Sequence, residues 1–156
     1  MKERTCCFTG HREIAPEEED EVWRRTQEAV EKLIAAGVDT FIAGGAFGYD
    51  MLAERVVLEM RKERPHIRLL LLLPCRGQER FWPEKLRREY QAILAVADGV
   101  EYVSDTYFKG CMQVRNRRMV EESAHCVCYL HEEAGGTAFT VRLAKKAGLS
   151  IENVAR

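Results

Sequence analysis

No hydrophobic run in this chain is long enough to cross a membrane. The longest, Leu69 to Leu73 with Ile67 before it, falls far short of the roughly 20 apolar residues that span a bilayer, so no membrane partner is expected. Net charge is also lacking, with 24 lysines and arginines against 25 acidic residues. The whole-molecule field then gives no long-range attraction to nucleic acid, which is not the expected partner. Repeats, low-complexity stretches and linkers are absent, and at 156 residues one domain, 1–156, is expected. The first apolar run ends in Thr9-Gly10-His11-Arg12 rather than in a G-x-G-x-x-G fingerprint, which excludes an ordinary dinucleotide dehydrogenase.

The six cysteines, Cys6, Cys7, Cys75, Cys111, Cys126 and Cys128, do not form a disulfide framework. Most lie in apolar strand-like runs, where a free thiol behaves as a small hydrophobe, and neighbours such as Cys6 and Cys7 point to opposite faces. Met1-Lys2-Glu3-Arg4 leads into the first strand with no leader pattern, so a reducing cytosol is the expected setting. Cys126 and Cys128 share a strand face, but no second ligand pair stands at useful spacing, and no metal is expected.

What the chain does contain is a regular alternation of apolar strands and amphipathic helices. Strands are expected over Thr5–Thr9, Thr40–Ala43, Arg68–Leu73, Gly99–Val103 and His125–Leu130, with a short last one near Ser150–Val154. Helices are expected from the acidic run Glu17–Glu21 to Gly37, and over Asp50–Arg64, Glu84–Asp98, Gly110–Ser123 and Gly136–Ala147. Strands apolar on both faces that alternate with helices define an α/β fold, a three-layer Rossmann-like α/β/α with a mostly parallel central sheet of five or six strands. Ligands of such sheets bind beyond the carboxyl ends of the strands, and the motifs of this chain collect there.

Gly135-Gly136-Thr137 follows a strand and opens a helix, which offers free backbone N–H groups and a positive dipole end to an anion. Gly44-Gly45-Ala46-Phe47-Gly48-Tyr49-Asp50 repeats the design, with three glycines available for close ligand approach and Asp50 placed either to cap the helix or to bond a ribose hydroxyl. Gly10, His11 and Arg12 can hold a phosphate or carboxylate, because a guanidinium gives bidentate, charge-assisted bonds; a surface turn with Arg12 paired to a glutamate is the simpler alternative. Arg115 and Asn116 fall on the same helical face as Met112, Met119 and Val120, so both polar groups turn inward and need partners. Arg76, Arg80, Phe81 and Trp82 lie in a connection that serves either as an aromatic lid or as a staple onto the next helix.

Together these segments resemble the YpsA-like branch of the SLOG superfamily. The resemblance rests on Cys7-Phe8-Thr9-Gly10-His11-Arg12, the loop 44–50, Arg115-Asn116-Arg117-Arg118-Met119-Val120 and Gly135-Gly136-Thr137, and covers nearly the whole chain. It implies a Rossmann-like fold and a nucleotide or nucleotide-derived ligand held by glycine-rich loops. ADP-ribose, NAD and nucleoside monophosphates are the implied ligand class, and no cofactor is certain. The superfamily also includes the LOG phosphoribohydrolases, which cleave an N-glycosidic bond with a helical arginine and a glutamate of a P-G-G-x-G-T-x-x-E motif. Arg115 is the counterpart of that arginine, but alignment of Gly136-Thr137 puts Thr140 in the glutamate's place. Asp50 and Glu132 are the carboxylates on neighbouring loops that remain as catalytic candidates beside Arg115. Binding, as in a sensor, is therefore expected ahead of hydrolysis. The superfamily further includes the single-strand DNA binder DprA, and a DprA-like reading needs a basic groove built from Arg76, Arg80, Trp82, Arg117 and Arg118. A homo-oligomer is compatible with the sequence, though no exposed apolar stripe marks its face.

Overall fold

The computed structural model describes residues 2–155; Met1 and Arg156, the ends of the expected domain, lie outside the described residues. Six strands, β1 (Thr5–Gly10), β2 (Thr40–Ala43), β3 (Arg68–Cys75), β4 (Gly99–Ser104), β5 (His125–Tyr129) and β6 (Ser150–Asn153), form one sheet. Its order is β4-β3-β2-β1-β5-β6, and every neighbouring pair is parallel. Parallel neighbours need long crossovers, and five helices supply them: α1 (Glu19–Ala35), α2 (Tyr49–Arg61), α3 (Glu84–Val96), α4 (Cys111–Glu121) and α5 (Gly136–Lys146).

Because successive side chains of a strand point to opposite faces, each apolar run feeds two separate cores. Cys6, Phe8, Phe41, Leu69, Leu71, Leu73, Val127 and Tyr129 pack under α1, α2 and α3 with Val30, Val56 and Ile93. Cys7, Ile42, Leu72, Cys126 and Cys128 form the other core with Met119 and Val120 of α4 and Val141 and Ala144 of α5. A strand buried on both sides has no polar face to show. That accounts for the uninterrupted leucines of β3, each fully buried aliphatic side chain contributing about 1.5–3 kcal/mol.

Element ends depart from the sequence expectation by a few residues. Pro16–Glu18 forms a short 3-10 turn, so α1 starts at Glu19 rather than Glu17. β3 runs on through Pro74 to Cys75, and its pairing with β2 has already ended at Ala43–Leu71. A proline without an N–H is tolerated where no strand on that side needs the donor.

The order of connections places the site. From β1 the chain steps through β2 and β3 to β4 at one edge, then returns by α4 to β5 on the other side of β1. The switch point therefore lies between the carboxyl ends of β1 and β5, whose register runs from Cys6–His125 to Gly10–Tyr129. Helices of both layers meet above that seam, and a crevice opens there.

Candidate functional site

The crevice is a cleft of about 410 Å³, a volume within the range of small-molecule sites. Its walls are the end of β1 with His11 and Arg12, Ala46 and Asp50 at the start of α2, Met112, Arg115 and Asn116 of α4, and Ala134 to Thr137. The chain thus brings together Gly10, His11, Arg12, Asp50, Arg115, Asn116, Gly135, Gly136 and Thr137.

Arg115 is only 6% exposed. Its Nη1 donates to the carbonyl of Gly44, and its Nε donates to Asn116 Oδ1 at 2.7 Å. No carboxylate lies within 4.0 Å of the guanidinium among the described residues. Burial pushes its pKa below the ordinary arginine value, and the more distant charge of Asp50 pulls the other way. A buried cation that neighbouring backbone and amide oxygens orient, but no anion neutralises, is poised to receive an anion from the cleft.

Asp50 faces the same space and is 5% exposed. Its Oδ2 accepts the N–H of Ala46 at 3.2 Å. Burial raises its pKa to about 6, against the opposing influence of Arg115 and the Ala46 N–H. One helical turn on, Glu54 is 1% exposed, and its Oε2 has no hydrogen-bond partner among the described residues. Burial first, and then the Asp50 charge, push it well above the usual carboxylate range, so the protonated form is favoured. Sequence reasoning missed Glu54; its one signal was an acidic residue four positions from Asp50 among the inward residues Ala53 and Val57.

The two glycine loops prove to differ. Gly135 starts α5 at φ 96°, and among the described residues no side chain caps this helix and Cβ atoms at Gly135 or Gly136 would meet nothing within 4 Å. This backbone is open to the cleft. At Gly44 a Cβ would collide with the Arg115 guanidinium, at Gly45 with Leu73, and at Gly48, where φ is 86°, with the carbonyl of Arg12. Those three glycines let protein approach protein. Their structural work is to seat Arg115 and to bring the β2–α2 turn against the β1 loop, where Tyr49 N–H donates to the His11 carbonyl at 3.1 Å.

His11 organises the other side. Its Nε2 accepts the backbone N–H groups of His131 at 3.0 Å and of Glu132 at 3.3 Å, which places its own proton on Nδ1. Partial burial and the neighbouring His131 lower its pKa, consistent with a neutral acceptor. Arg12 has an aromatic partner: its guanidinium lies over the Phe47 ring, 5.0 Å from the centroid.

Other candidates stand apart. Arg76 pairs with Asp105 at 3.1 Å and covers the Tyr102 ring, away from the cleft. Glu132 is exposed; its backbone N–H donates to His11, and its carboxylate lies 4.0 Å from His131 Nδ1. Thr140 is buried and returns its hydroxyl to the carbonyl of Gly136 at 2.9 Å, so it offers nothing to a ligand. Phe81 is 89% exposed, whereas Trp82 packs edge-on against Phe47 and Tyr90, which makes Trp82 the staple. Arg118 is paired with Glu101 and Glu122. Among the described residues no cluster of ligating side chains suits a metal ion, and no helix is long and apolar enough to cross a membrane.

An all-parallel sheet with a cleft at its switch point defines a Rossmann-like α/β protein. The family model described as the YspA SLOG family matches residues 18–152, and the chain belongs to that family, the YpsA-like group to which its motifs pointed. Curated relatives include a UPF0398 protein of Halalkalibacterium halodurans, 33% identical over 117 residues, which are 73% of this chain and 62% of the relative. Another, from Bacillus cereus strain B4264, is 33% identical over 120 residues, covering 75% of this chain and 65% of the relative. This chain thus spans less than two thirds of the length of the relatives it matches. The fold is similar to that of DNA processing protein A from Helicobacter pylori, a structure described for its single-stranded DNA binding mode. The TM-score is 0.68 at 21% identity, over 96% of this chain and 64% of the other.

Proposed function

We propose that the switch-point cleft binds the phosphate end of a nucleotide-derived small molecule. The observation that carries this reading is Arg115, a buried guanidinium with no carboxylate within 4.0 Å among the described residues, held by Gly44 and Asn116 in the wall of the cleft that the open backbone of Gly135 and Gly136 also lines. The phosphate accepts from Arg115 and from the first amides of α5, the Thr137 hydroxyl lies beside it, and Asp50 accepts a ribose hydroxyl. With the LOG-type carboxylate absent at position 140, recognition without turnover is the reading that these groups support. All six cysteines are free thiols, in keeping with a reducing cytosolic setting. Calorimetric titration with nucleoside monophosphates, ADP-ribose and NAD tests the proposal. Saturable heat with one class supports it, and no heat with any of them removes it.

A second reading is hydrolysis of an N-glycosidic bond, for which Asp50 is the remaining carboxyl in the cleft, its pKa near 6. Chromatography of nucleoside monophosphates after incubation decides it, because no base release above an Asp50→Asn control excludes turnover. A third is single-strand DNA binding, suggested by the fold of the Helicobacter pylori protein. The arginines proposed for such a groove include Arg76 and Arg118, which carboxylates already neutralise. A gel shift that vanishes with rising salt would restore that reading.

A further inference from the structure

We propose that a second groove, across the β2–α2 turn from the cleft, receives an amino-bearing purine of the same ligand. This rests on the phosphate reading above and adds the chemistry of the ligand's other end. The turn is a partition. Ala46 and Asp50 line the cleft, the alternate residues Phe47, Gly48 and Met51 line the groove, and Arg12 borders both. One molecule that passes Arg12 occupies the two spaces together.

The groove holds about 510 Å³. Met51 and Leu52, both buried, contribute apolar floor, and Trp23, Phe47, Leu86 and Ile14 are its walls. Such a slot suits a flat ring, which gains from contact with an indole face and with the guanidinium of Arg12 already laid over Phe47. Besides that ring, the Arg12 guanidinium has the Met112 Sδ, at 3.9 Å, as its one hydrogen-bond partner among the described residues, and no carboxylate within 4.0 Å among them.

The rim is asymmetric in charge. Toward α3, Arg55 is neutralised by Glu89 at 2.9 Å, and the exposed Lys85 leaves that side positive. Toward α1, the side chains of Glu19 and Asp20 are exposed and make no hydrogen bond or ion pair among the described residues. Two free carboxylates at the edge of an aromatic slot accept from an exocyclic amine, a donor that adenine carries and hypoxanthine lacks.

The test titrates the full chain with AMP, IMP and ribose 5-phosphate, and follows Trp23 fluorescence in a Trp82→Phe background. AMP is expected to bind about tenfold or more tightly than ribose 5-phosphate, in line with one stacked base, and to quench Trp23. IMP is expected to fall between the two. A Glu19→Ala/Asp20→Ala variant, changed only at exposed positions, should bring AMP to the IMP level and leave ribose 5-phosphate binding unchanged. Equal affinity for AMP and ribose 5-phosphate without quenching overturns the base subsite and leaves the phosphate cleft standing. Equal affinity for AMP and IMP overturns the role of the carboxylates. Failure of all three ligands to bind overturns the base subsite, and the titration with ADP-ribose and NAD then decides the phosphate reading.

Discussion

The ring of His11 and the backbone of His131, 120 positions apart in sequence, meet at 3.0 Å, imidazole nitrogen to amide nitrogen. This bond ties the end of β1 to the loop that delivers Gly135 and Gly136, and the rings of the two histidines stand 4.3 Å apart. The position of the open glycine backbone relative to Arg115 is thus controlled by an acceptor that a single proton removes.

Acid is expected to loosen that loop. Because the His11 pKa is lowered in the folded state, its contribution is present above the ordinary histidine value and is lost as pH falls through the folded one. Hydrogen-exchange protection factors at His131 and Glu132 should drop between pH 7.5 and 5. In His11→Phe they should be low throughout and insensitive to pH; unchanged protection in that variant would show that the ring does not hold the loop.

Replacement of Arg115 by methionine should weaken anion recognition while the chain still folds. The loss of one charge-assisted contact weakens binding by about 10- to 100-fold, while the acceptors left without their donor, the Gly44 carbonyl and Asn116 Oδ1, cost about 1–3 kcal/mol of stability, offset in part by no longer burying the charge. Titration together with thermal unfolding separates the two effects. A variant that unfolds much earlier and still binds would mark Arg115 as structural.

Asp50→Asn should stabilise the protein near neutral pH. The Asp50 pKa is raised to about 6 in the folded chain, against about 3.9 for a free aspartate, so the wild type is relieved of ionising this group below pH 4 and loses that benefit as pH rises through 6. The difference corresponds to about 3 kcal/mol at pH 7.5 and vanishes near pH 3.5. Urea midpoints of the two proteins at both values measure it, and equal midpoints at pH 7.5 would refute the assignment.

Two glycine substitutions should behave oppositely. Gly48→Ala forces a side chain into φ 86° and against the Arg12 carbonyl, at a cost of about 1–3 kcal/mol or more. Gly136→Ala lies in the first turn of α5 with open space around it and should leave stability unchanged or raise it by up to about 1 kcal/mol. Denaturation midpoints rank the pair, and a Gly48→Ala as stable as wild type would contradict the close approach described.

The architecture was readable because one physical rule runs through the chain: strands apolar on both faces must be covered on both faces. The inward turn of Arg115 and Asn116 was readable for a similar reason, since Met112, Met119 and Val120 fix the phase of α4. The roles of Gly44, Gly45 and Gly48 were not. A glycine states only that something comes close, and whether that is a ligand or Leu73 depends on the assembled fold. Glu54 was hidden because burial of a carboxylate runs against its usual preference, and the groove beside Trp23 and Phe47 joins α1, α2 and α3, elements that no local pattern links.

The seam beneath the cleft has a mechanical meaning. One hydrophobic core lies under α1, α2 and α3 and the other under α4 and α5, and the cleft takes Asp50 from the first layer and Arg115 and Thr137 from the second. A molecule seated there rivets the two halves to each other. Its grip adds to the cohesion of the whole chain, so occupancy would be felt as a later, sharper melting of both layers together, far from the atoms it touches.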